Sequence, residues 1–256
     1  MEKRSLSALI GSLAVICLGQ AWGQWSAPTK ALEPILVKEL PHDSALFTQG
    51  LLLYRGRLFE SFGLYGRSGL REVEPQTGRV FREHTLPPRF FAEGLAIQAG
   101  KLVQLTWKEG LAFRYPIQTW ENPQKWEYQG EGWGLTDWKD GYCMSNGSDT
   151  LVFRDRNFHE KRRLPVTLAG KPVSRINELE TARNLIWANI WYSDSVVAID
   201  PRNGQVVNVV DCSRLAAQSG RTSRDQVLNG IAHDPASGLF YLTGKNWPKL
   251  FVVRIP

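Results

Sequence analysis

One short pattern recurs five times along this chain and constrains its fold more than any other feature. A glycine-leucine-like pair follows a polar or aromatic residue at Gly50-Leu51, Gly94-Leu95, Gly134-Leu135, Glu178-Leu179 and Gly230-Ile231, in steps of 44, 40, 44 and 52 residues. Each pair opens an apolar run, a Gly, Asp or Asn turn and a second apolar run. The first repeat passes from Thr48 through Gly56-Arg57-Leu58 to Phe62, the second from Ala92 through Gly100-Lys101-Leu102 to Trp107. The third reaches Asn146 through Asp140-Gly141, the fourth Trp191 through Asn184, and the fifth Lys245 through Gly238. Runs of this length with Gly-bearing turns read as strand hairpins, and a period of about 40–50 residues marks a repeat architecture.

Third strands follow at Leu70–Val73, Leu151–Phe153, Val196–Ile199 and Leu250–Val253. Glu-Pro-Gln-Thr-Gly at 74–78 and Asp-Pro-Arg-Asn-Gly at 200–204 are turn sequences leading into fourth strands. Four short antiparallel strands per repeat, five times, predict an all-β, five-bladed β-propeller. The fifth repeat ends at Pro256 with only three strands, so Ile35–Leu40 is expected to complete its sheet and remove the open edge. A β-sandwich has strands at similar intervals but gives no reason for the same kind of mark five times. The 23 Gly, 14 Pro and 11% aromatic content suit a turn-rich β chain.

The N-terminus reads differently. Lys3 and Arg4 precede an apolar stretch, Leu6–Leu18, which is too short to span a bilayer. Ala21-Trp22-Gly23 then places small residues at the two positions a signal peptidase reads. Residues 1–23 are therefore expected to be a cleaved secretory signal, residues 24–34 a flexible segment, and 35–256 one catalytic propeller, secreted or periplasmic. Lipidation at Cys17 fits less well, because Ile16 stands where a small residue is needed. Cleavage leaves Cys143 and Cys212, read as buried small hydrophobes rather than a bridge.

In a propeller the first strands surround the central channel, so equivalent positions form a ring at one end. The residues before the five marks are Gln49, Glu93, Trp133, Asn177 and Asn229; those ending the second strands are Phe62, Trp107, Asn146, Trp191 and Lys245. Taken singly, each has an ordinary structural reading: core indole, solvated lysine, turn asparagine. Aligned, they form an aromatic pocket with a single acid and a single amine. An acid in such surroundings has its pKa raised and suits proton transfer near neutral pH.

Several chemistries are missing. There is no Gly-x-Ser-x-Gly elbow, no phosphate-binding glycine loop, and no Cys-x-x-Cys or His-Glu-x-x-His metal pattern. The four histidines fall at unrelated points of the repeat. Formal charge is +6, but the basic residues are scattered, which argues against nucleic acid as a partner.

Eight motifs in order carry a resemblance. Phe-Thr-Gln-Gly-Leu at 47–51, Ala-Glu-Gly-Leu at 92–95, Leu-Thr-Trp-Lys at 105–108 and Gly-Glu-Gly-Trp-Gly-Leu at 130–135 are joined by Ile-Asn-Glu-Leu-Glu at 176–180, Ala-Asn-Ile-Trp at 188–191, Leu-Asn-Gly-Ile-Ala at 228–232 and Leu-Thr-Gly-Lys-Asn-Trp-Pro at 242–248. The chain resembles the plant and bacterial type of glutaminyl-peptide cyclotransferase over about residues 35–256. The resemblance implies a five-bladed propeller that converts N-terminal glutamine to pyroglutamate and releases ammonia, unlike the zinc-dependent animal enzymes. It implies Glu93 as catalytic acid/base and Phe47, Gln49, Trp107, Trp133, Asn177, Trp191 and Lys245 as substrate-binding residues. It implies no metal ligand and no required cofactor; a structural cation in the channel is compatible with it. The partners expected are peptides or proteins with N-terminal glutamine, met by a monomer without nucleic acid or membrane. Residues 136–172 and 212–227 match the pattern least and are expected to govern which peptides enter.

The same ring admits two other readings. A gluconolactonase-like metallohydrolase would hold a divalent cation with Glu93, Asn177 and Asn229, and a non-catalytic propeller would bind peptide ends. Within the cyclase reading, Gln49, Asn177 and Lys245 are all candidates for the oxyanion donor.

Overall fold

The computed structural model describes residues 29–256. The expected signal and residues 24–28 lie outside the described residues. The chain forms the five-bladed propeller that its repeat predicts. The first strands of the blades are Thr48–Tyr54, Ala92–Gln98, Leu135–Trp138, Ile176–Ala182 and Leu228–Asp234, and neighbouring ones touch in a closed ring. Each blade then steps outward through antiparallel pairs in chain order. The two Pro-containing turns form as expected: Gly78 N–H donates to Glu74 O (2.9 Å) and Gly204 N–H to Asp200 O (2.8 Å). Both glycines are left-handed, at φ 70° and 78°.

The ring closes through the N-terminus. Ile35–Pro41 pairs antiparallel with Lys249–Arg254, the last strand of the chain, in a register that sets Leu40 opposite Leu250. Within the segment 24–34, expected to be flexible, Lys30–Leu32 departs from that expectation. Lys30–Leu32 pairs in parallel with Val206–Asp211 and adds a fifth strand to the fourth blade. The outer edge there offers unpaired backbone groups, and three residues placed beside it satisfy some of them. The insertion at 212–227 holds the helix Ser213–Gln218, whose Leu215 and Ala216 pack into the core.

Apolar side chains collect in five clusters, one for each contact between neighbouring blades. Trp187, Phe240, Trp247 and Phe251 fill the contact between the fourth and fifth blades. Leu40, Leu51, Leu58, Tyr241 and Leu250 seal the contact across the closure. Cys143 and Cys212 are free and buried, as the sequence suggested. The axis itself is occupied by close backbone and one carboxylate. Glu178, standing where the other repeats have glycine, accepts from Leu51 N–H (3.2 Å) and Ile231 N–H (2.8 Å). A fully buried acid with two backbone donors ties the fourth blade to the first and fifth.

Candidate active site

The mark that defines the repeat is also where the first strands depart from regular pairing. Register shifts fall between Thr48 and Gly50, Ala92 and Leu95, Ile176 and Leu179, and Leu228 and Ile231. In the third blade the strand begins only at Leu135, with Trp133 N–H donating to Ser145 O ahead of it. An extra residue in one strand re-aims its side chain, and here it turns Gln49, Glu93 and Asn177 toward the channel mouth. The glycine that follows permits close approach. A Cβ on Gly94 would stand 2.6 Å from the Gly134 carbonyl carbon and 2.7 Å from Trp133 O. Only with that gap closed does Gly94 N–H reach Trp133 O, at 2.7 Å.

The ends of the second strands are pinned beside these bulges. Gly63 N–H donates to Phe47 O, Trp107 N–H to Phe91 O, Trp191 N–H to Arg175 O and Lys245 N–H to Val227 O. Both rows therefore converge on one cavity of ≈ 380 Å³ at the channel mouth. All eight residues singled out from the sequence line it: Phe47, Gln49, Glu93, Trp107, Trp133, Asn177, Trp191 and Lys245. Asn229, Phe62 and Asn146, from the same rows, do not. Asn229 lies fully buried and acts on the site through Gln49. Phe62 is a core residue, and Asn146 accepts from Ser148 within its own loop.

Glu93 is the buried acid of the cavity. Its Oε1 accepts from Gln49 Nε2 at 2.9 Å. Gln49 is oriented for this by Asn229, whose Nδ2 donates to Gln49 Oε1 (3.3 Å) and to Thr48 O (2.8 Å). Burial pushes the Glu93 pKa well above the ordinary carboxylate value; Lys245 opposes that rise, and the negative charges of Glu131 and Glu109 add to it. Burial also lowers Lys245 to about 8, with Glu93 holding it up against that fall. The two make no direct ion pair; the lysine Nζ instead lies 4.5 Å from the centroid of the Phe47 ring. The result is a neutralisable acid and a weakened ammonium, both buried, lining one chamber. Asn177, 2% exposed, keeps its Oδ1 without a protein partner.

Aromatic rings wall this chamber in two groups. Trp133 meets Trp191 edge-on at 5.4 Å, and Trp191 packs on Tyr192 at 4.6 Å. In the second group, Trp107 meets Phe91 at 5.4 Å, and Phe91 meets Phe47 at 6.3 Å. Glu131 stands between the groups: its Oε2 accepts from the indole N–H of Trp107 (2.8 Å) and from that of Trp133 (2.9 Å).

Leu64, Phe91, Tyr192 and Asp225 line the cavity and were not anticipated. Phe91 was legible, since it stands two residues before Glu93 as Phe47 stands before Gln49. Asp225 was not: it comes from the insertion and reaches the rim by accepting from Tyr192 OH at 2.7 Å. Among the described residues, no three His, Cys, Asp or Glu side chains gather in a way that could hold a metal ion. No described helix is long and apolar enough to cross a membrane.

A family model described as glutamine cyclotransferase matches residues 9–255. The chain is 36% identical over 249 residues to an Arabidopsis thaliana protein named glutaminyl-peptide cyclotransferase, covering 92% of this chain and 77% of that one. It also matches the crystal structure of Myxococcus xanthus glutaminyl cyclase with a TM-score of 0.82 and 39% identity, over 89% of this chain and 98% of that one.

Proposed function

The chain belongs to the glutamine cyclotransferase family, and from that premise we propose how its pocket acts on the N-terminal glutamine of a peptide or protein. The observation that carries the reading is the buried Glu93 facing Lys245 and Asn177 between indole walls. An N-terminal glutamine cyclises when its α-nitrogen attacks its own side-chain carbonyl carbon, which requires a folded rotamer with those atoms about 3–3.5 Å apart. Trp107, Trp133 and Trp191 enclose a space that selects such a rotamer by shape. Glu93 takes a proton from the α-ammonium, which frees the lone pair. The new C–N bond forms as the carbonyl pair moves to oxygen. The oxyanion then collapses and the original C–NH₂ bond breaks as Glu93 returns its proton to the departing nitrogen, which leaves as ammonia. The carboxylate so regenerated takes the second proton from the ring nitrogen, leaving the lactam N–H, and passes it on to solvent.

Gln49 is the weakest of the three oxyanion candidates, because one of its two amide N–H groups is already given to Glu93 and its oxygen holds the amide in place by accepting from Asn229. Lys245 is the one cation among the described lining residues and is best suited to the oxyanion. The unpaired Asn177 Oδ1 is an acceptor for the substrate's α-amine or side-chain amide. No cofactor enters this scheme, and one chain supplies every group, so the monomer is the working unit. Residues 1–23 act as a secretory signal in this proposal; N-terminal sequencing of exported protein should begin at Gln24 or its cyclised form, and a retained leader contradicts it.

The test is ammonia release from a Gln-Gln dipeptide by the wild type and by Glu93→Gln. The substitution should lower kcat/KM by about 10²-fold or more with an unchanged circular dichroism spectrum. In the wild type, kcat/KM should climb as Glu93 ionises, then fall above about 8 as Lys245 loses its proton. A Glu93→Gln enzyme that keeps half its turnover sinks the assignment, as does a profile flat from pH 6 to 9.

A further inference from the structure

We propose that Glu131 is a positioning residue of this site, setting the gap between the two aromatic walls through its paired indole bonds and placing a fixed negative charge beside Glu93. The inference rests on the acid/base reading of Glu93 above.

Three observations converge on it. First, the cavity's rings fall into two groups, Trp133–Trp191–Tyr192 and Trp107–Phe91–Phe47, with aromatic contacts inside each. Glu131 is the residue bonded to a member of both. An indole N–H is a single donor with no other polar atom, so one bond fixes which edge of the ring faces the cavity. Two such bonds to the same Oε2 fix both rings relative to each other, and charge-assisted bonds of this kind are the stronger sort.

Second, the local backbone is built to hold the acid there. Glu131 sits between Gly130, left-handed at φ 83°, and Gly132, whose N–H donates to Trp107 O at 2.9 Å. Trp133 is braced from its far side by Gly147, where a Cβ would come within 2.6 Å of the indole. The ring is thus held between a glycine face and a carboxylate edge.

Third, the groups that face Glu93 divide cleanly. Lys245 comes from the fifth blade and Gln49 from the first; Glu109 and Glu131 come from loops on the second-blade side, with the phenols of Tyr65 and Tyr128 nearby. Glu109 is engaged by Tyr65 OH at 2.9 Å. Glu131 is the acid among them whose bonds all run to cavity-lining rings. Its charge makes Glu93 a better proton acceptor for the incoming α-ammonium, and the same charge attracts that ammonium.

The experiment compares the wild type with Glu131→Gln and Glu131→Ala, using Gln-Gln dipeptide across pH 4.5–9. The glutamine variant keeps one oxygen acceptor but loses the charge. Its kcat/KM should fall about tenfold, and the acid limb of its profile should move to lower pH. The alanine variant should lose about 10²-fold, with KM raised more than in the glutamine variant. In proton–nitrogen spectra of the wild type, the Trp107 and Trp133 indole signals, assigned with Trp107→Phe and Trp133→Phe, should exchange slowly; both should shift in Glu131→Gln.

Glu131→Gln activity within twofold of wild type with the acid limb unmoved overturns the proposal. So do fast-exchanging indole signals in the wild type, a reading available even if both variants fail to fold. A wild-type profile with no acid limb would instead count against Glu93 as the acid/base, and the indole spectra would still judge Glu131.

Discussion

Trp187 and Trp191 lie four residues apart, yet the same side chain serves unrelated ends. Trp187 is 1% exposed, donates its indole N–H to Ala182 O at 3.0 Å and packs 4.8 Å from Phe240 in the core between two blades. Trp191 lies just past the strand Leu185–Ile190, half-buried, with its ring on the cavity. Trp187→Ala should cost about 3–5 kcal/mol of stability, measured by urea unfolding, while Trp191→Ala should raise KM for Gln-Gln about tenfold with little change in unfolding midpoint. If Trp191→Ala unfolds the protein as Trp187→Ala does, its place in the binding wall is wrong. Residue type alone could not separate the two tryptophans. Their phase in the repeat did, because Trp191 shares a row with Trp107 and Lys245.

At the scale of the strand, the five marks join two requirements that belong together. The bulge turns Gln49, Glu93 and Asn177 toward the mouth and sets Asn229 behind Gln49, and the glycine next to three of these four lets neighbouring first strands meet. Gly94→Ala forces a methyl group against the Gly134 and Trp133 backbone, where nothing flexible can yield. It should destabilise by about 1–3 kcal/mol and lower kcat, since Glu93 is the adjacent residue. A Gly94→Ala protein with wild-type urea midpoint and turnover would show that the approach is not needed. Glu178 is the instructive exception. Read as a degenerate Gly-Leu mark, it proves to be the one side chain sent across the axis to accept backbone N–H groups from two other blades.

For the whole molecule, buried acids set the pH dependence of stability. Burial raises Glu93, Glu178 and Glu180 well above 4.5. Their stabilising effect is complete below 4.5 and declines as pH rises through their folded values, because the folded state holds those protons longer. His42 acts in the same direction: although burial alone would lower its pKa, Glu60 at 3.0 Å leaves it raised above 6.5, and its contribution is lost as pH climbs through that value. Asp43, Asp200 and Asp234 are lowered from 3.8, so their contributions disappear as pH falls through their folded values. Asp43 and Asp234 face solvent, which keeps their share small, whereas Asp200 is buried and held down chiefly by its Arg202 hydrogen bonds. The urea midpoint should therefore be higher at pH 5 than at pH 8 and should drop again toward pH 3. A protein more stable at pH 8 than at pH 5 contradicts this assignment of buried acids.

The repeat by itself determined the blade count, the closing strand and the two rows of residues around the channel. These are properties of periodicity: equivalent positions in equivalent units must occupy equivalent places. Glu93, Lys245 and the three indoles of the wall were legible for that reason. Tertiary structure decided what lies outside the period. Lys30–Leu32 joins a neighbouring blade because an unpaired edge was available there, which no local pattern announces. Asp225 reaches the rim from an insertion with no counterpart in the other repeats. Asn229, identical in row to Asn177, turned away from the cavity to orient Gln49. Glu131 sat in a quoted motif, yet its role depends on two indole N–H groups arriving at one oxygen from different blades. Periodicity fixes where a side chain starts, and only packing across blades decides which neighbour it meets.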